Sequence, residues 1–139
     1  FEIAGKKEVN IAQVESWIEE HHRIYDFQSI ILDQYNSAGT IQNLSKNYPI
    51  AELTWSVSTK MKAFNKMKEL FNAGFVELPN HKEAIKQLKN LSVIYRSSGQ
   101  WSVTGGKESS VDDLAFALAG AILEASKDSD VDWINSLVR

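Results

Sequence analysis

Residues 27–33 read FQSIILD, a short apolar run that ends in an acid. The run is too short for a helix, and its β-branched residues favour a strand. Helical patterns flank it at residues 10–23 and 36–46, so we expect a buried strand of an α/β sheet. Residues 49–54 form a second run of this kind. Asp33 then lies at the end of the first strand.

The rest of the chain continues this alternation of strands and helices. Before the first helix, the sequence predicts a strand end at residues 1–3. After the second strand it predicts a helix at 58–71, a strand at 75–78, a helix at 81–91 and a hairpin at 92–103. A long helix from Ser109 or Ser110 to about Ser126 follows, and then a short helix or tail at 130–137. The resulting order, β-α-β-α-β-α-β-α-β-β-α, indicates a three-layer α/β fold with a sheet that is mostly parallel at its centre.

Composition excludes several classes of protein. The chain has 139 residues, of which 43% are hydrophobic and 24% charged, values typical of one folded domain. The net charge of −3 means that any contact with nucleic acid needs a local basic patch. The chain lacks cysteine, which excludes disulfides and thiolate metal sites and fits a reducing cytosol. No apolar run approaches the ~20 residues of a membrane span, so no membrane partner is expected.

Two acidic positions are candidates for chemistry. Asp33 ends a predicted strand, and ligands of open α/β sheets gather at that end, although a turn-forming aspartate is the alternative. Asp112 and Asp113 open the long helix, where capping and the helix dipole would also explain them. Residues 114–122 are apolar throughout, so we expect a buried helix with Leu114, Leu118 and Ile122 in the core.

A buried helix of this kind would carry its acids to a sheet edge. If Asp33 lies at the same edge, Asp33, Asp112 and Asp113 would form an oxygen-rich site for Mg²⁺ or Mn²⁺.

Basic and aromatic residues are weaker candidates, each with a structural alternative. Trp55 is either a core residue or a platform for base stacking, and His21 and His22 suit the end of a helix better than a metal. Lysines crowd two predicted helices, where they are either a solvated face or contacts for phosphate: Lys60, Lys62, Lys66 and Lys68 on one, and Lys82, Lys86 and Lys89 on the other. The chain has no G-x-x-x-x-G-K-[ST] motif, so we expect no ATP hydrolysis.

Several of these stretches together resemble the C-terminal nuclease domain of phage terminase large subunits, a family with a ribonuclease-H-like fold. They are residues 30–33 (IILD), 50–54 (IAELT) and 112–119 (DDLAFALA), and residues 5–11 (GKKEVNI) resemble the stretch before the family's second acidic strand. The resemblance covers roughly residues 1–126. It implies a mixed sheet flanked by helices and a metal-dependent endonuclease that cuts concatemeric viral DNA during genome packaging.

The resemblance also implies ligands and partners. Family members place three acidic clusters around two divalent ions, Mg²⁺ or Mn²⁺. Asp33 matches the second cluster, and Asp112 and Asp113 match the third, with either of the pair able to bind the metal directly. Val111 stands where the family often has histidine. The implied partners are double-stranded DNA, the terminase ATPase domain, the small terminase and the portal. The implied location is the cytoplasm of a host cell, and the implied source of the gene is a phage or prophage.

The family's first acidic cluster has no counterpart, because Glu2 and Asp26 stand at the wrong places in the order. We therefore expect residues 1–139 to be a single nuclease-like domain, N-terminally truncated, without the ATPase domain and the first catalytic strand. On its own it should bind one ion weakly and cut DNA weakly or not at all. Two alternatives stay open: a Holliday-junction-resolvase-like nuclease, and a non-catalytic prophage remnant or interaction module.

Overall fold

The computed structural model describes residues 10–34, 37–97, 99–105 and 111–127. These ranges form a mixed α/β protein with five helices and four strands, divided into two compact units, Phe1–Leu53 and Thr54–Arg139. The predicted strand end at residues 1–3 and the tail at 130–137 lie outside the described residues. The predicted start of the long helix at Ser109 or Ser110 is wrong, because the helix begins at Asp113 with Asp112 in the N-cap position. None of the five helices in these ranges has the length and apolarity needed to cross a bilayer.

The first unit has the order that the sequence predicts: α1 (Ile11–Tyr25), β1 (Ile30–Asp33), α2 (Ala38–Leu44) and β2 (Ile50–Leu53). Asn10 caps α1 as expected, since its Oδ1 accepts a 3.3 Å hydrogen bond from the amide of Gln13. Strands β1 and β2 pair in parallel, which confirms the predicted parallel arrangement for these two strands. Asp33 is the last residue of β1 and stands beside Leu53 in the register.

The second unit begins with α3 (Val57–Asn72), which starts slightly earlier than predicted because Ser56 caps it. The Ser56 Oγ accepts a 3.1 Å hydrogen bond from the Thr59 amide. The predicted stop at Gly74 is confirmed: Gly74 has φ +74°, and its amide donates to the Phe71 carbonyl. The next amide, of Phe75, donates to the Leu70 carbonyl, which completes a Schellman motif.

The strand predicted at residues 75–78 is wrong, because this stretch has no regular secondary structure. The Schellman motif uses the amide of Phe75, so the first residue of the predicted strand cannot donate to a strand ladder, and Pro79, which has no amide, follows directly after the stretch. Phe75 is itself exposed. The alternating apolar pattern reflects partial burial of Val76 and Leu78 in an irregular connection.

The connection leads into α4 (Lys82–Asn90), β3 (Leu91–Tyr95) and β4 (Trp101–Gly105). Strands β3 and β4 pair antiparallel from Leu91↔Gly105 to Tyr95↔Trp101, which confirms the predicted hairpin. Within the described ranges the strands therefore form two pairs, the parallel β1–β2 and the antiparallel β3–β4, and the predicted mixed sheet, mostly parallel at its centre, stays a prediction.

Helix α5 (Asp113–Ala125) packs into the core of the second unit through small residues. Ala115 and Ala119 are fully buried, as is Ala63 on α3, and Ile122 continues the same stripe one turn later. Burial of Ile122 confirms the prediction. Leu118 is only partly buried, and Leu114 is 38% exposed, so placing Leu114 in the core was wrong. The alanine stripe faces inward, and Leu114 lies about 100° away from it around the helix.

Two substitutions in α5 test this orientation. Replacing Ile122 with alanine should lower the free energy of unfolding by ~2–5 kcal/mol, since it leaves a cavity beside Ala119. The matched control, Leu114→Ala in the same helix, should change it by no more than ~0.5 kcal/mol, as expected of a surface position. Urea unfolding followed by tryptophan fluorescence measures both. Equal losses for the two variants would contradict the orientation.

Candidate functional site

Asp112 joins the start of α5 to the end of β4. It occupies the N-cap position, yet its side chain makes no capping hydrogen bond to its own helix. Its Oδ2 instead accepts a 2.7 Å hydrogen bond from the backbone amide of Gly105, the last residue of β4. A carboxylate has acceptor capacity for about four hydrogen bonds. Asp112 is therefore fixed in place by one oxygen and keeps further capacity for a ligand.

The cap that Asp112 does not provide comes from another helix. The Gln87 Oε1 on α4 accepts a 2.9 Å hydrogen bond from the amide of Leu114, the second residue of α5. Gln87 is only 3% exposed, and its Nε2 donates to the Glu83 Oε1 at 3.3 Å. The Gln87 side chain of α4 thus satisfies a backbone donor that would otherwise lack a partner at the N-terminus of α5.

Sequence reasoning missed Gln87, although a signal was present. Ala84, Leu88 and Leu91 recur at the spacing of one helical face, and Gln87 interrupts that otherwise apolar stripe. A glutamine on a buried face needs hydrogen-bond partners. The sequence alone could not indicate that one of those partners is an amide 27 residues further along the chain.

Asp113 differs from its neighbour. It is the first residue of α5 and is exposed, whereas Asp112 is half-buried and hydrogen-bonded. The first turn of a helix favours negative charge, because its amides point toward it. The structure therefore separates the two acids that the sequence could not distinguish: Asp112 anchors the helix start, and Asp113 presents its carboxylate to solvent.

Asp33 ends β1, as predicted, and is exposed. It belongs to the first unit, whereas Asp112 and Asp113 belong to the second, and the approach of these acids to one another stays a prediction. In the described part of the chain, no group of three or more acidic or histidine side chains forms a metal-binding cluster.

The carboxylate oxygens at the start of α5 suit a hard divalent ion as ligands. Asp112 and Asp113 provide carboxylate oxygens, the ligand type of Mg²⁺ and Mn²⁺. Mg²⁺ sites often use one or two carboxylates and complete the coordination with water and substrate phosphate. The pair therefore fits part of such a site.

The aromatic and histidine candidates have structural roles. Trp55 packs edge-on against Phe116, with ring centroids 5.0 Å apart, and Phe116 packs in the same way against Phe64. This favours the core interpretation of Trp55 over base stacking. The ring of His21 stacks on Trp17, and His81 caps α4 by accepting a 3.1 Å hydrogen bond from the Ala84 amide.

The most regular basic surface is on α4. Lys82, Lys86 and Lys89 are exposed and recur at the spacing of one helical face. Together with Asn80, Ile85 and Asn90 they line a shallow groove. Lys86 also approaches Glu83 at 3.9 Å. On α3, by contrast, the Lys60 Nζ lies 4.9 Å from the centre of the Phe116 ring.

Comparison with known proteins identifies a fold. No family model matches the chain, and no curated protein matches it. Among solved structures, the large terminase nuclease from thermophilic phage G20c superposes with a TM-score of 0.68 and 18% sequence identity, covering 81% of this chain. The chain spans 61% of the length of that structure. The expected resemblance to a large-terminase nuclease is therefore shown at the level of the fold.

The hydrogen bond from Gly105 predicts different consequences for the two adjacent acids. Asp112→Ala should lower the free energy of unfolding by about 1–3 kcal/mol, because it leaves the Gly105 amide without its charged acceptor. Asp113→Ala should lower it by less than ~1 kcal/mol, the size of a helix-dipole interaction at an exposed site. Urea unfolding of both variants measures the difference. A larger loss for Asp113→Ala would contradict the assignment.

Proposed function

We propose that this chain belongs to the nuclease domain of a phage terminase large subunit, a metal-dependent endonuclease that cuts concatemeric viral DNA during packaging. The observation that carries the proposal is the fold likeness to a large-terminase nuclease over 81% of the chain. A ribonuclease-H-like, three-layer arrangement is part of the proposal. So are the partners: double-stranded DNA, the terminase ATPase domain, the small terminase and the portal, in the cytoplasm of the host cell.

Asp33, Asp112 and Asp113 are the proposed metal ligands. Divalent ions bound there would activate a water molecule and stabilise the leaving oxygen of the cleaved phosphodiester. Asp113 would contribute an exposed carboxylate from the first turn of α5. Asp112 would contribute a carboxylate whose orientation is set by the Gly105 amide. Asp33 would contribute a carboxylate from the end of β1. The support for this role is that Asp33 ends a strand at the same place in the order of helices and strands as the second acidic cluster that the resemblance implies.

We further infer that the lysine face of α4 contacts the phosphates of the DNA. Lys82, Lys86 and Lys89 lie on one helical face and can follow one strand of a duplex. The chain as a whole carries a charge of −3, so attraction to DNA must come from a local surface of this kind. The same helix contacts the start of α5 through Gln87, so the lysine face and the acid pair belong to two helices that are hydrogen-bonded to each other.

A plasmid-cleavage assay tests the proposed activity. Because the chain spans 61% of the G20c structure, the assay uses the natural gene product that contains these 139 residues. We expect Mn²⁺-dependent conversion of supercoiled plasmid to nicked and linear forms, abolished by EDTA. Asp33→Asn and Asp113→Asn should each reduce the rate more than ~100-fold, beyond the effect of residues that only support a metal ligand.

Asp26→Asn is the matched control for Asp33→Asn. Asp26 is an exposed acid of the same unit with φ +47°, a conformation that asparagine also tolerates, so cleavage should be unchanged. Cleavage that survives both ligand substitutions would refute the site. Preference for a four-way junction over linear duplex would favour the resolvase alternative, and no EDTA-sensitive cleavage of any DNA would favour the non-catalytic alternative.

The lysine face predicts a change in salt dependence. In the double variant Lys82→Gln/Lys89→Gln, the slope of log affinity for duplex DNA against log salt should fall by about 0.9 for each phosphate that the variant no longer neutralises. The control Lys62→Gln/Lys68→Gln removes the same charge from exposed positions on different faces of α3, and its slope should not change. Fluorescence anisotropy at several salt concentrations measures both. Equal changes would show that only net charge matters.

A further inference from the structure

We propose that Gln87 is a positioning residue for the divalent-ion site: it holds the first turn of α5 so that Asp112 and Asp113 can bind the ion. The inference rests on the proposed function, because it assigns a role in the same site. It concerns a residue of α4 that provides no ligand itself and acts through a hydrogen bond to the backbone of α5.

The burial of Gln87 is the first observation. At 3% exposure it lies on the apolar face of α4. A hydrophobic side chain of similar volume would fill this place without the desolvation penalty of an amide. Both ends of the amide are hydrogen-bonded, to Leu114 and to Glu83, so the penalty is offset only in this one arrangement.

The direction of these bonds is the second observation. An ionised Glu83 can only accept hydrogen bonds, so it requires the NH₂ group of Gln87 on its side. The carbonyl oxygen must then point to Leu114, where it accepts the helix amide. Glu83 therefore selects the amide orientation in which Gln87 acts as a cap for α5.

The first turn of α5 is consequently held from two sides. The Asp112 carboxylate is hydrogen-bonded to the Gly105 amide of β4. The Gln87 side chain of α4 is hydrogen-bonded to the amide of Leu114, the second residue of α5. Asp113 lies between these two attachment points. Loss of the Gln87 hydrogen bond would let this turn fray. Ion binding would then have to order the turn, and the free energy that this ordering costs would lower the affinity for the ion.

Binding of Mn²⁺ to the 139-residue chain, measured by electron paramagnetic resonance of free Mn²⁺, tests the role. Gln87→Met keeps the size of the side chain but removes both strong hydrogen bonds, and it should weaken Mn²⁺ binding by about 10–100-fold, as for other residues that orient metal ligands. Glu83→Gln should weaken Mn²⁺ binding less than Gln87→Met does, because the new amide oxygen can still accept from Gln87 although the acceptor-only carboxylate is lost.

Rescue separates positioning from general stability. Gln87→Glu removes the donor that faces Glu83 and should weaken Mn²⁺ binding. In the exchanged pair Glu83→Gln/Gln87→Glu, the amide at position 83 can donate to the carboxylate at position 87, so wild-type affinity should return. Ile122→Val, a mildly destabilising change in the core away from the helix start, should leave the affinity unchanged.

The outcomes distinguish this inference from the proposed function. Wild-type affinity in Gln87→Met, an equal loss in Ile122→Val, or no rescue by the exchanged pair would each overturn the role of Gln87. A wild-type chain that binds no Mn²⁺ would overturn the proposed metal site, and the role of Gln87 with it. Loss in Gln87→Met with rescue by the exchanged pair supports both.

Discussion

The second unit depends on the close approach of α5 to α3, which is possible only because the residues between them are small. Ala63 of α3 and Ala119 of α5 are fully buried in the same core cluster, and Ala115 is fully buried one turn before Ala119. Tight packing of this kind fixes a helix in position, because a larger side chain would force the two elements apart. Phe116 then reaches between Trp55 and Phe64, and Ile122 fills the space one turn beyond Ala119.

The acid pair is a consequence of this packing together with two hydrogen bonds. Packing sets the axis of α5, the bond from Gly105 to Asp112 fixes where the helix begins, and the bond from Leu114 to Gln87 orders its first turn. A helix that is apolar along most of its length thus presents an acidic first turn at the end of a hairpin. This is a suitable support for a site that needs carboxylates held in place before an ion binds.

Local signals predicted much of the fold. The Asn10 cap, the Gly74 stop and the hairpin were correct because each depends on residues within a few positions of one another. The strand at residues 75–78 was wrong because the preceding helix terminates through a hydrogen bond that uses the Phe75 amide. Leu114 was misplaced because hydrophobicity alone does not show that the alanines, and not the leucine, face the core.

The site was less accessible to sequence reasoning. The sequence indicated Asp112 and Asp113, but the distinction between them depends on the amide of Gly105, and the cap depends on Gln87, which is 27 residues from its partner. At 18% identity the fold is shared with the G20c nuclease although no family model matches. A fold depends more on the pattern of small and apolar residues than on the identity of each side chain. Two proteins can therefore share a fold after their sequences have ceased to be recognisably similar.

We propose that Asp33 and the acids of α5 bind the same ion. A crystal structure of the chain soaked in Mn²⁺, with anomalous scattering to locate the metal, tests it directly. We expect an Mn²⁺ peak with carboxylate oxygens of Asp33 and of Asp112 or Asp113 within about 2.0–2.6 Å, the range for hard cations and oxygen ligands. No peak at saturating Mn²⁺, or a peak bound by Asp33 without either acid of α5, would contradict it.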